Sequence, residues 1–296
     1  MQSSRIGFIG MGLMGVPMSL RLQRAGFDVS VWNRSPDKSK PLASEGVRVC
    51  EHLHELISSS DILMTCVTDT SAVRAIVEGS GGIAEHGRES QVLIDFSSID
   101  PQSTRDMADA LFNKTGIRWI DAPVSGGVAG AEQGTLAIMA GGDAALVDSV
   151  RPVLEPLSQR VTHMGPTGSG QVTKICNQMI VSCNVLVMAE VMALAEKSGV
   201  NASQIPEALK GGFADSIPLQ LTGPRMAERD FDPVKWHVKT LLKDLDMANA
   251  LAKNSASAVP MAGQAAELMR LHATQGSAEC DPCTLIEMYT SKDEEA

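Results

Sequence analysis

Lys174, Asn177 and Gln178 lie three and four residues apart in a stretch, 165–199, that is otherwise mostly apolar. On a helix these offsets bring the three side chains to one face. A lysine flanked by two amides can move one proton and orient what receives it, which is the equipment of general acid–base chemistry. A second set is Gly10-Met11-Gly12-Leu13-Met14-Gly15, with the spacing G-x-G-x-x-G. Between a strand and a helix, Gly10 would permit the tight turn, Gly12 would let the backbone approach a pyrophosphate, and Gly15 would let the helix pack close to the strand. The helix N-terminus would then present amides to the phosphates. A third set is Ser125-Gly126-Gly127, a hydroxyl followed by backbone amides that can converge on a substrate carboxylate or a developing oxyanion. Each set also has a plain structural reading: a polar helix start at the surface, a strand–helix turn, and a glycine-rich turn before a strand.

The elements around these sets favour the chemical readings. Residues 5–9 are apolar enough for a buried parallel strand, the segment after Gly15 is helical in pattern to Gly26, and 28–32 reads as a second strand. Strand, glycine turn, helix and strand within about thirty residues are the setting that a dinucleotide fingerprint requires. Further strands are expected at 47–49, 61–67, 91–95, 117–120, 136–140 and 160–163, with helices between them, including 101–113 and one from Asp143 to about Leu157. The loops that follow strand ends should face the ligand. Ser97 and Ser98 stand in one of them, either reaching the nicotinamide ribose or capping the helix that opens near Pro101. After the long helix the patterns turn helical, at 201–209, 238–253, 261–274 and 282–289, with a polar tail at 291–296. The expected organisation is a doubly wound Rossmann-type α/β domain over 1–164, then an all-α domain over 165–296 that begins with the long helix.

The end of the second strand bears on which dinucleotide is bound. NAD selection calls for an acidic residue there, to bind the adenine-ribose hydroxyls. This chain has Asn33-Arg34-Ser35, with Lys38 beyond. A guanidinium fork and a hydroxyl suit a ribose phosphate. The cofactor expected is therefore NADP(H) in preference to NAD(H), the alternative being an Arg34 that stacks on adenine from a solvated loop.

Composition removes other classes. The formal net charge is −10 and aromatics are 3% of the 296 residues, so neither phosphate-backbone electrostatics nor base stacking is provided for. Neither a nucleic-acid nor a membrane partner is expected. The span 175–195 is long enough to cross a bilayer, but Asn177, Gln178, Ser182, Asn184 and Glu190 make it a core helix of a soluble protein. No signal peptide opens the sequence, and the six cysteines are scattered, so reduced thiols and a cytoplasmic location are expected. Cys280 and Cys283 form one C-x-x-C, which cannot close a tetrahedral zinc site alone, and no metal is expected.

Four blocks, in order, resemble the β-hydroxyacid dehydrogenase family, of the 3-hydroxyisobutyrate dehydrogenase kind. They are Gly7 to Gly15, Asp121-Ala122-Pro123-Val124-Ser125-Gly126-Gly127, Gly168-Ser169-Gly170-Gln171-Val172-Thr173-Lys174, and Lys243-Asp244-Leu245. The resemblance implies a 6-phosphogluconate-dehydrogenase-like fold and hydride transfer between a nicotinamide and a small β-hydroxyacid or semialdehyde. It also implies Lys174 as catalytic lysine, Ser125, Gly126, Gly127, Asn177 and Gln178 on the substrate, and cofactor- or substrate-facing Lys243 and Asp244. Gln178 stands where the family often has Asn, and with 211–216 this looks like the tartronate semialdehyde reductase branch. Asn33-Arg34 looks more like the glyoxylate and succinic semialdehyde reductases. Val67-Thr68 replaces the family's usual Leu-Pro at a nicotinamide contact. A homodimer or homotetramer is expected, and the partner is a small carboxylate-bearing aldehyde or hydroxyacid. The competing reading from another class is a non-catalytic NADP-binding sensor, which would have no need of Lys174.

Overall fold

The computed structural model describes residues 4–290, so the polar tail lies outside the described residues. Two compact units are present, one ending at Lys174 and the other beginning at Ile175.

The first unit alternates strand and helix. In order it contains β1 (Arg5–Ile9), α1 (Gly15–Arg24), β2 (Asp28–Trp32), β3 (Arg48–Val49), α2 (Leu53–Ser59), β4 (Ile62–Thr65), α3 (Thr70–Glu78), α4 (Ile83–His86), β5 (Val92–Asp95) and α5 (Pro101–Thr115). There follow β6 (Arg118–Asp121), β7 (Val124–Ser125), α6 (Gly127–Gln133), β8 (Leu136–Gly141), α7 (Ala144–Leu154) and β9 (Ser158–Gly165). The sheet order is β3-β2-β1-β4-β5-β6-β8-β7, with β9 also paired to β8. Strands β3 to β6 are all parallel, in the order of a doubly wound nucleotide-binding sheet. Parallel strands are covered on both faces, and the sequence obeys this: Ile6, Phe8, Leu63, Met64, Leu93 and Ile94 are all buried. One core contains Phe8, Met18, Val31 and Ile120, and a second contains Ile9, Leu63, Leu93 and Trp119.

Strand β7 was not anticipated. It is two residues long and continues β6 beyond Ala122-Pro123 along the same antiparallel neighbour. The partners Asp121–Gly141, Val124–Ile138 and Ser125–Ala137 keep one register, and Met139 N–H donates to Pro123 O between them at 3.1 Å.

The second unit holds most of α8 (Ser169–Lys197), then α9 (Ile205–Leu209), α10 (Ile217–Glu228), α11 (Val238–Asn254) and α12 (Pro260–His272), and closes on a 3-10 turn, Pro282–Met288. Its core gathers Val185, Ala189 and Met192 of α8 with Leu241 and Leu245 of α11 and Met269 of α12. The start of α11 is held by the segment before the closing turn, with Val238 N–H on Cys280 O and Lys239 N–H on Ala278 O, each at 3.0 Å.

The compact units part within α8, between Lys174 and Ile175. The first turns of α8 belong with the sheet because their amides and Gln171 are bonded to strand ends, as set out below.

Candidate functional site

Gly10 follows β1 with φ 104°, and its N–H donates to Trp32 O at 3.0 Å. A Cβ there would collide with the Cys66 carbonyl, so the turn accepts glycine only. At Gly15 a Cβ would strike the Gly10 carbonyl and press on Phe8 of β1, which is the close strand–helix approach expected of the third glycine. Gly12 is different: it is exposed, and a Cβ there would meet nothing within 4 Å. Bare backbone thus faces open space at the start of α1. There the amides of Leu13, Met14 and Gly15 precede the first helical carbonyl–amide bonds, the arrangement that receives phosphate.

Asn33 proves to be part of the loop's framework. Its Oδ1 accepts from Met11 N–H at 2.9 Å and its Nδ2 donates to Ser35 O at 2.9 Å, tying the end of β2 to the glycine turn. Met11 turns its side chain into the core, whereas Leu13 is 76% exposed. Arg34, Ser35 and Lys38 are exposed beyond β2. The nearest carboxylate, Asp37, is engaged by Lys40 at 2.8 Å, which holds its carboxyl below the usual range. These elements surround a pocket of about 340 Å³, lined by Gly10, Gly12, Asn33, Arg34, Val67 and Thr68 among others.

Ser97 is 1% exposed and is a junction. Its Oγ accepts from Val67 N–H at 3.0 Å, its N–H donates to Asp95 Oδ1 at 3.0 Å, and its carbonyl accepts from Gln171 Nε2 at 2.8 Å. It meets the pocket through Val67. The capping alternative is corrected: helix α5 is capped by Asp100, whose Oδ2 accepts from Ser103 N–H at 2.6 Å.

Two buried carboxylates stand in register on adjacent strands, Asp95 beside Asp121. Burial pushes each up to about 6. Asp95 Oδ1 accepts from Thr65 Oγ1 at 2.7 Å as well as from Ser97, and its Oδ2 has no hydrogen-bond partner among the described residues. Because this pKa is raised above its unfolded value of about 3.9, the folded state holds the proton longer than the unfolded chain. The ionisation penalty is absent below about pH 4 and complete above about pH 6, so stability from this group falls as pH rises through that window. Asp95→Asn should therefore gain on the wild type between pH 4 and 7, by about 2–3 kcal/mol at most. Denaturant titrations at several pH values measure this, and parallel stability curves for the two proteins would refute it.

Ser125 sits half-buried at the end of β7, followed by Gly126 at φ 132° and Gly127 at φ 61°, both exposed. The chain thus passes from β7 into α6 through two glycines of positive φ, at the place where the amide nest is expected.

Lys174 lies in the second turn of α8. That turn is fastened to the sheet: Asp121 Oδ1 accepts from Gly168 N–H at 2.7 Å, and its Oδ2 accepts from Gln171 N–H at 2.9 Å. Gln171 Oε1 also accepts from Ile99 N–H at 3.1 Å. Neither Asp121 nor Gln171 was singled out from the sequence as a site residue, although both stand inside the motif blocks that carry the resemblance.

In the second unit, four expected site residues meet. Gln178 Nε2 donates to Asp244 Oδ2 at 2.6 Å, and Asn177 Nδ2 donates to Gln178 Oε1 at 2.8 Å. Lys243 Nζ stands 3.4 Å from Asp244 Oδ1, an ion-pair distance outside hydrogen-bond geometry. Asp244 is 3% exposed, and its bond fixes the Gln178 amide.

Residues 5–165 match the NAD binding domain of 6-phosphogluconate dehydrogenase, and residues 168–289 match the NAD-binding region of NADP-dependent 3-hydroxyisobutyrate dehydrogenase. The chain is 36% identical to 2-hydroxy-3-oxopropionate reductase of Escherichia coli over 96% of each chain. It is 32% identical to glyoxylate/succinic semialdehyde reductase 1 of Arabidopsis thaliana, over 95% of this chain and 97% of that one. Among solved structures, Mycobacterium tuberculosis 3-hydroxyisobutyrate dehydrogenase with L-serine superposes with a TM-score of 0.88 at 29% identity, covering 98% of this chain and all of the other.

Proposed function

We propose a substrate and a set of residue roles from one premise: the chain belongs to the family of NAD(P)-dependent β-hydroxyacid dehydrogenases. The reading is a reductase that interconverts tartronate semialdehyde (2-hydroxy-3-oxopropionate) and its alcohol with NADP(H). The substrate is carried over from the Escherichia coli relative and from Gln178 in place of asparagine. The observation that carries the roles is the set Asn177, Gln178, Asp244 and Lys243, drawn together from two helices.

The residues of the first unit fit a pyridine nucleotide. Gly12 leaves its backbone uncovered, helix α1 opens beside it, and Arg34 and Lys38 line the same pocket. When bound, the nicotinamide supplies or accepts the hydride. Lys174 gives a proton to the aldehyde oxygen as the alcohol forms, and takes it back in the reverse direction. Ser125 and the amides of Gly126 and Gly127 hold the carboxylate. Asn177 and Gln178 hydrogen-bond the reacting group, with Gln178 held in place by Asp244. Asn33, Met11 and Ser97 shape the nucleotide loops, and Arg34 and Ser35 receive the ribose phosphate.

Initial rates with tartronate semialdehyde, glyoxylate, succinic semialdehyde and methylmalonate semialdehyde, each with NADPH and NADH, test this. The highest kcat/KM is expected for tartronate semialdehyde with NADPH. Arg34→Ala should weaken NADPH binding about 10- to 100-fold and leave NADH nearly unchanged. A higher value for another aldehyde would displace the substrate, and an unaltered NADPH/NADH ratio in the variant would remove Arg34 from cofactor selection.

A further inference from the structure

Asp121 has no exposed surface, yet burying a carboxylate is costly without strong partners. Its partners are amides at the start of α8, Gly168 N–H at 2.7 Å and Gln171 N–H at 2.9 Å. The first amides of a helix lack intrahelical carbonyls, and an anion among them is favoured by the helix dipole. Helices are usually capped by the residue just before them. Here the cap comes from the end of β6, 47 residues earlier.

The fit leaves no slack. A Cβ on Gly170 would lie 2.6 Å from the Asp121 carbonyl oxygen, and one on Gly141 would press against the Asp121 carboxylate. Gln171 fastens the same turn from the other side, donating to Ser97 O at 2.8 Å and accepting from Ile99 N–H at 3.1 Å. The turn just before Lys174 is thus anchored to the C-terminal ends of β5 and β6, and Ser97 in turn holds Val67 of the nucleotide pocket. Other charges at this spot are Asp95, in register on β5, and Arg105 of α5, whose Nε lies 3.0 Å from where a Gly168 Cβ would be.

We propose that Asp121 is a positioning residue for the reaction: as the ionised cap of α8, it fixes the helical turn that presents Lys174 relative to the nucleotide loops. This rests on the assignment of Lys174 as proton donor. Asp121 itself acts through the helix and meets neither substrate nor cofactor.

Asp121→Asn tests the idea, because the amide keeps the shape, accepts from one N–H and turns an NH₂ group towards the other. The expected result is a fall in kcat of about 10- to 100-fold, since small misplacements of a reacting group have effects of that size. NADPH affinity should stay within about twofold, because the glycine loop and Arg34 are untouched. The basic limb of the kcat profile for reduction should also move to lower pH, because the positive helix end near Lys174 is no longer offset by a charge. A purely structural role would not shift that limb. If Asp121→Asn does not fold, Asp121→Ser, which keeps one oxygen acceptor for the turn and leaves Gln171 and Ser97 in place, should give the same split between kcat and NADPH affinity. Wild-type kcat with an unmoved profile would overturn the proposal, as would equal losses in kcat and NADPH binding. An inactive Lys174→Ala beside a fully active Asp121→Asn refutes positioning alone, whereas an active Lys174→Ala refutes the assignment beneath it.

Discussion

Lys174→Ala should lower turnover with the best aldehyde at least about a hundredfold, while NADPH binding stays within about twofold of the wild type. A positioned acid or base contributes about 10²- to 10⁴-fold to such a step, and no other lysine lies in the anchored first turns of α8. The nucleotide pocket is built from β1, β2 and the segment after β4, so the substitution leaves it intact. Single-turnover reduction separates proton and hydride chemistry from product release, and fluorescence titration with NADPH gives the affinity. Turnover within tenfold of the wild type would show that the proton comes from another group.

An equally large effect is expected from a pair of glycine substitutions that look alike in sequence. Gly12→Val should fold normally, because its side chain enters space where no protein atom lies within 4 Å of the new Cβ. It should nevertheless bind NADPH at least about a hundredfold more weakly, since the branched side chain stands where the backbone must approach the pyrophosphate. Gly15→Ala should do the reverse in kind. Its Cβ meets the Gly10 carbonyl, so α1 must move off β1, with a loss of about 1–3 kcal/mol in stability. Thermal unfolding with and without NADPH distinguishes the two. A Gly12→Val protein that NADPH still stabilises as strongly as the wild type would place the pyrophosphate elsewhere.

Much of the first unit could be read in advance because its signals are local. Buried parallel strands are short apolar runs, and the glycine spacing of 10–15 has a mechanical meaning at each position. The second unit was less legible. Helix α10 carries Pro218 in its first turn, and Gly223 and Pro224 inside it, which is the composition of a break. Gly223 is explained by packing: a Cβ there would lie 2.8 Å from Pro206 and 3.0 Å from Met192. Nor can a sequence show who bonds to whom at long range. Gln178 and Asp244 are 66 residues apart, and Asp121 and Gly168 are 47 apart. Asn33 illustrates the same limit. Its place after β2 suggests a ligand contact, and nothing local shows that its side chain also ties Met11 to Ser35.

The shared register of β6 and β7 bears on how this chain can change in length. Asp121, Val124 and Ser125 face Gly141, Ile138 and Ala137 without slippage, so the helix cap and the serine sit on one ruler. Successive residues of a strand point to opposite faces, and adding or deleting one residue between positions 121 and 125 would turn Ser125 away while the cap stayed in place. The exposed residues 43–46, which close the 3-10 turn Lys40–Glu45 before β3, carry no such register. Insertions and deletions are therefore tolerable there, and in the segment 121–125 they are not, which makes the spacing of that block as restrictive as its residue types.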